Sequence, residues 1–508
     1  MSIDAVASPD ESFDSDRWPL KLALIAALTA LADWLFFRRE IGISLGVFVI
    51  ALGAAVLIAS PTWPHRREMF AATAALIAAL VPLVEATNPF SIALSVIGAA
   101  YFALVASVRA SGPLRERASA VVSLLLTGPL WVVPDIGRAI HAVRRTGAVR
   151  AMAQSAKAWV MPIGLGVLFL LLFASANPVL ESWLTQLSFG DSLFQVDGFR
   201  VTFWLIAIVA TWPFISMSRR WIADVSRILP ESEEAAPELP EAFFGVAAVT
   251  RALILFNLLF AVQSAMDIHY LWRGAALPHG MTYAAYAHRG AYPLVLTALL
   301  AALFVVATMR PGTVAERSPL MRTLVVLWTG QNVLLVISSI LRLDLYVEAY
   351  SLTYLRVAAF IWMGLVAVGL VLILARIILY RSNTWLIAGN FAALAVTCYV
   401  GSLVNFPYLI ASYNVAHCRE ISGQGVSLDL SYLIDLGPQA IPAIDRYIAT
   451  RPAAMVVWPI VVARRDALAK SHHTAMSNWR AWSFRGWRLD RYLEDTAGRP
   501  AVNSATSP

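Results

Sequence analysis

Charge is scarce in this chain and cysteine is nearly absent. Asp, Glu, Lys and Arg make up 14 % of its 508 residues, against roughly 25 % in ordinary soluble proteins. Hydrophobic residues make up 59 % and the mean hydropathy is +0.67. So apolar a chain cannot hide its surface from water, which excludes a string of soluble domains despite the length. The two cysteines, Cys398 in an apolar run and Cys418 beyond it, have no metal-ligand spacing, so neither a disulfide framework nor a zinc site is expected. There is no Walker-type loop, no G-x-S-x-G and no H-E-x-x-H, and hence no motif for nucleotide-driven work or for the commoner hydrolases. No cofactor is implied. A basic signal-peptide start is missing too, since Asp4, Asp10, Glu11, Asp14 and Asp16 crowd the N-terminus. Ala30-Leu31-Ala32 imitates a cleavage site, but the apolar stretch continues through Phe37, and the first segment is expected to be retained.

Long apolar runs are what the chain does have. A hydrocarbon core about 30 Å thick takes about 20 residues of helix, and backbone in lipid must bond internally, which leaves helix as the sensible form. Runs of that kind lie near 20–37, 42–60, 69–86, 90–108, 158–176, 200–217, 246–267, 291–309, 322–341, 355–375 and 385–404. The expected fold is therefore an all-α polytopic integral membrane protein of about eleven spans with a small C-terminal α-helical extramembrane domain. The segments would be an acidic 1–19, four helices over 20–108, a basic interfacial 109–157, seven helices over 158–404 and a helical tail over 405–508.

The net charge of +7 marks the side of the membrane rather than a nucleic-acid footprint. Arg66, Arg67, the 109–157 cluster, Arg219, Arg220, Arg310, Arg317, Arg376 and Arg381 all fall on one side of an eleven-span arrangement. The positive-inside rule makes that side cytoplasmic, together with the N-terminus, and sends the tail outside. A twelfth span at 118–134, broken by Gly128-Pro129 and Pro134, would invert the later loops, so that stretch is expected to be interfacial or re-entrant. Residues 134–157 read as an amphipathic helix on the anionic inner leaflet, and the acidic, Pro-rich 230–241 reads as a solvated linker.

Two outward stretches collect unusual chemistry. One, 263–292, holds Asp267, His269, Tyr283, Tyr286 and Arg289. The other holds Arg342, Asp344, Tyr346, Glu348, Tyr350 and Arg356. Between 342 and 350 polar and apolar residues alternate strictly, which suggests an extended segment with one polar face. In a helix, Asp344 and Glu348 would become a like-charge i,i+4 pair. Asp267-x-His269 offers two metal ligands, but no spacing supplies a third, so no metal is expected. Glu40 or Asp33, in the first outward loop, could serve as the base of a lipid-linked transferase, but Arg38 and Arg39 beside them favour a bound, solvated loop.

NLLFAVQSAMDIHYLWRGAALPHGMTYAAYAHRGAYPL, RLDLYVEAYSLTYLRVAAFIWM and SYNVAHCREISGQGVSLDLSYLIDLGPQAIPAI resemble an uncharacterised family of bacterial polytopic membrane proteins. That family is a domain of unknown function in the group numbered 4153 and 4173. The resemblance runs from about 245 to 495, with a weaker echo in ADWLFF at 32–37. It implies a bacterial plasma-membrane protein with many helices and an extramembrane tail, and it brings no established activity or catalytic residue.

Three readings of the polar cluster stay open. It could bind a small anionic ligand or lipid headgroup through Arg289, Arg342 and Arg356, in a non-enzymatic transporter-like or sensor protein. Alternatively, Asp267, Asp344 or Glu348 could act as acid/base on a lipid-linked substrate. The third reading is purely structural, with the residues pairing among themselves and Tyr forming the interfacial belt. In the tail, Leu430, Leu433 and Leu436 make one apolar face and Ala440, Ile441 and Ile444 another. Such a lone hairpin needs the membrane domain or a protein partner to cover it. NWRAWSFRGWRLDRYL reads as a basic aromatic helix at the lipid interface or as one packed against the tail's own helices, and an outward tail would not meet nucleic acid.

Overall fold

A computed structural model describes residues 17–60, 66–108, 114–135, 198–217, 246–272, 318–450 and 458–497, with a few isolated positions between. These residues form helices and no strand, and nine of the helices are long and apolar enough to cross a membrane. The protein is an all-α polytopic membrane protein. The runs expected at 158–176 and 291–309, the amphipathic segment 134–157 and the linker 230–241 lie outside the described residues, save a few positions.

The chain divides into two compact units. The first is residues 1–231 with 478–485, and the second is 232–477 with 486–508. In the first unit α1 (Trp18–Phe36), α2 (Ile43–Ala59), α3 (Arg66–Glu85) and α4 (Pro89–Val108) run up and down, followed by α5 (Leu114–Thr127) and α6 (Gly198–Ser216). Lipid offers helices no hydrophobic drive to associate, so close backbone approach must do it. Small residues allow this here. Ala72, Ala99, Ala100, Ala103 and Ala106 are buried, and a Cβ on Gly98 would lie 2.6 Å from that of Ala79.

Residues 478–485 sit on one end of this bundle, which we call the tail end. Ile43 N–H donates to the Trp482 carbonyl at 2.9 Å, and the Arg485 Nε lies 3.2 Å from Glu85 Oε1. The Arg480 guanidinium lies over Trp34 and Trp479, 4.4 and 5.0 Å from the ring centres. A Cβ on Gly42 would fall 2.6 Å from the carbonyl oxygens of Arg480 and Ala481. This half of the aromatic segment packs on the ends of α1 and α2, with Trp479 left 45 % exposed.

The stretch 116–135 is helical throughout, tightening to a 3-10 turn at Gly128–Trp131, and would reach across a membrane by length. Arg117 at its start pairs with Glu68 at the foot of α3, 3.6 Å away. Asp135 at its end accepts from Trp212 Nε1 at 2.9 Å, and the Trp212 ring lies 5.7 Å from that of Trp18. Glu68, Trp18 and Trp212 all mark the end opposite the tail end. Both ends of 116–135 therefore contact residues at that one end of the bundle.

In the second unit α7 (Val246–Asp267), α8 (Pro319–Tyr350), α9 (Tyr354–Ile378) and α10 (Asn383–Leu403) lead into the tail helices α11 (Phe406–His417), α12 (Leu430–Asp435), α13 (Ile441–Ala449), α14 (Trp458–Met476) and α15 (Phe484–Ala497). Contacts of Asn257 with Leu324 and of Asp267 with Arg342 show that α7 and α8 run parallel. Leu433, Leu436, Ala440, Ile441 and Ile444 are buried. All but Ile441 share one apolar cluster with Ile410, Val415 and the α8–α9 corner at Val347 and Leu352.

Candidate functional site

The corner between α8 and α9 gathers the chemistry. Helix α8 runs unbroken to Tyr350, which corrects the extended reading of 342–350. The alternation is real, but the backbone of a membrane span bonds within itself, and the helix simply accepts the exposed Asp344–Glu348 repulsion. The turn after it bends at Ser351, whose φ of 67° is unusual for a residue with a side chain and costs on the order of 1–3 kcal/mol. The tail holds that turn. Asn414 Oδ1 accepts from Leu352 N–H at 2.7 Å and its Nδ2 donates to the Leu352 carbonyl at 2.9 Å. Tyr354 N–H donates to the Tyr432 hydroxyl at 3.0 Å.

The expected site residues separate into three groups. Asp267 and Arg342 are almost wholly buried and paired with each other, with Gln263 Nε2 donating to Asp267 Oδ1 at 3.0 Å. Tyr346, Tyr350 and Arg356 form a second group. The two rings are 4.7 Å apart, the guanidinium sits 4.7 Å above Tyr346, and its Nη1 donates to the carbonyls of Tyr350 and Ser351. That arrangement satisfies the orphan carbonyls of a helix end. Asp344 and Glu348, one turn apart and exposed, make the third, on the face toward α11. His269 stands exposed in a π-turn at 268–272 with its ring edge-on to Tyr270. Its neighbour Asp267 is buried against Arg342, so the two do not converge as a ligand pair. Tyr283, Tyr286 and Arg289 lie outside the described residues. Asp33 accepts from Arg200 Nε and Trp204 Nε1 at 2.8 and 2.9 Å.

Beside the third group opens a cavity of about 570 Å³. Val357, Phe360, Val396, Val400, Val404 and Leu409 supply an apolar wall, and Asp344, Thr397 and Tyr413 supply the polar groups. Burial, then the nearby charges of Asp344 and Glu348, push the Tyr413 hydroxyl above its ordinary pKa. It therefore stays a neutral donor beside two carboxylates. Gly401 opens the wall, since a Cβ there would meet nothing within 4 Å. The arrangement suits an amphiphile, with hydrocarbon against the valines and a hydrogen-bond-donating head at Asp344. Sequence reasoning missed Asn414, Tyr413 and the α10 wall. The one visible signal was Tyr413-Asn414, two polar residues inside an apolar tail helix.

A model of the domain of unknown function DUF4153 matches residues 22–447. The chain belongs to that family. No curated protein and no solved structure matches it.

Proposed function

We propose that this member of a family of unknown function is a non-enzymatic bacterial plasma-membrane protein that binds a membrane lipid in the cavity below its tail. The observation carrying the reading is the apolar cavity with Asp344 and Tyr413 among its polar lining groups. A lipid is favoured over a small free anion. Arg342 is taken by Asp267, Arg356 holds the end of α8, and the cavity is lined by an acidic side chain, Asp344, and by no basic one. An ammonium or polyhydroxyl head answers that chemistry. The cytoplasmic N-terminus and outward tail rest on Lys/Arg sorting. The Asp267–Arg342 and Tyr346–Tyr350–Arg356 groups serve the fold.

Gly401→Leu tests the reading, because it fills the cavity at a helical position where Leu is intrinsically better than Gly. Wild-type protein extracted from membranes should retain lipid by native mass spectrometry, and the variant should lose it while remaining monodisperse. Equal retention would overturn the proposal. A second reading, an enzyme acting on a lipid-linked substrate, rests on the two carboxylates one turn apart on the face toward α11. It would be carried by chemical change of an added lipid that stops with Asp344→Asn.

A further inference from the structure

The contact between α7 and α8 carries a different kind of polarity, independent of the cavity. Trp328 stacks on Phe256 at 5.1 Å and meets Phe260 edge-on at 5.7 Å, which fixes the faces that α7 and α8 turn to each other. Helical spacing then places Asn257, Ser264 and Asp267 on one side and Gln331, Asn332 and Arg342 on the other. The Asn257 amide donates to the carbonyls of Leu253 and Leu324 at 2.8 and 3.1 Å. The Asn332 amide donates to that of Trp328 at 2.8 Å. These bonds fix which way each amide points and leave each Oδ1 turned elsewhere.

Four oxygens on this seam, Asn257 Oδ1, Ser264 Oγ, Gln331 Oε1 and Asn332 Oδ1, are buried without a protein hydrogen-bond partner. Asn332 is fully buried and Asn257 is 7 % exposed. Such a group costs several kcal/mol in hydrocarbon, and a lipid chain offers no donor. All four can accept, the Ser264 hydroxyl can donate as well, and they are spread along the seam, so a single bound cation does not answer them. A file of small donors does.

We infer that the α7–α8 seam is a hydrated polar track inside the membrane. Water is its occupant, running from Asn257 past Asn332 to the Asp267–Arg342 pair and opening at the exposed His269. Lipid is excluded from it.

Cysteine accessibility tests this in the full-length protein in lipid nanodiscs. Cys398 is replaced by Ser, and Cys418, which is 3 % exposed, is retained. Asn332→Cys, Gln331→Cys and Ser264→Cys are each treated with methanethiosulfonate ethylammonium. Leu334→Cys, on the outer face of α8 and 40 % exposed, reports lipid, and Ser382→Cys at the exposed N-cap of α10 reports open water. The track predicts modification at the three seam positions and at Ser382→Cys, and none at Leu334→Cys. Three seam thiols as inert as Leu334→Cys, in variants that purify monodisperse, would overturn it. Because Ser264 and Gln331 are only partly buried, their variants keep the test decisive if Asn332→Cys fails to fold.

Discussion

Removing one partner of the Asp267–Arg342 pair should be far more damaging than removing both. The two side chains are 1 % and 4 % exposed and pair directly, so bulk solvent does not come between the charges. An uncompensated charge in such a place costs about 3–5 kcal/mol, whereas replacing a buried pair with apolar groups is often close to neutral. Arg342→Met leaves the Asp267 carboxylate with the Gln263 amide at 3.0 Å but without the guanidinium, and Asp267→Leu strands the guanidinium. The double variant should be close to neutral, so the coupling energy approaches the sum of the two single losses, about 6–10 kcal/mol. That exceeds the roughly 0.6 kcal/mol average for hydrogen bonds between membrane helices. Reversible unfolding in mixed micelles, titrated with SDS, measures all four corners of the cycle. A double variant as unstable as the sum of the singles would refute the reasoning. It would mean that the two side chains are solvated separately in the membrane-embedded protein.

Raising pH should loosen the tail through Tyr413. Its folded pKa lies above the ordinary value near 10, so this contribution is intact below that pH and is lost as pH climbs through the folded value. Thermal unfolding from pH 9 to 12 should show an alkaline decline that Tyr413→Phe reduces. Asp445 accepts from Arg465 Nε and Nη2 at 2.8 and 3.0 Å and from the Tyr492 hydroxyl at 3.1 Å. Asp445→Asn should cost the tail about 2 kcal/mol, in the range for hydrogen bonds to charged groups, read as faster hydrogen exchange in α13 and α14. Gly42→Val should push a methyl group into the Arg480–Ala481 backbone and make residues 478–485 cleavable by added protease while α1 to α4 stay intact.

Much of the fold was legible because lipid allows so few solutions. Apolar runs at 20–37, 69–86 and 355–375 became α1, α3 and α9 within a few residues, since length and hydropathy leave little else for such segments. The tail hairpin was equally plain. Leu433, Ile441 and Ile444 stand at helical spacing and all are buried. The candidate site was legible in location but not in partnership. Period-two alternation over 342–350 imitated a strand because a helix that faces lipid on one side and protein on the other has no obligation to show a clean 3.6 pattern. Arg342 and Asp344 look alike as neighbours in sequence. Two residues apart on a helix they point some 200° from each other, one into the α7 seam and the other toward the cavity. Asn414 gave no warning that it would clamp Leu352, because that bond joins segments 62 residues apart.

The lipid site itself can be tested most directly by photo-crosslinking. The wild-type protein is reconstituted with a phospholipid carrying a diazirine on its acyl chain, and the labelled residues are mapped by mass spectrometry. The account predicts labels concentrated on Val396–Leu409 and Val357–Ile361 that vanish in Gly401→Leu. Labels spread evenly over lipid-facing positions such as Phe391 and Trp362, with no excess at the cavity wall, would contradict it.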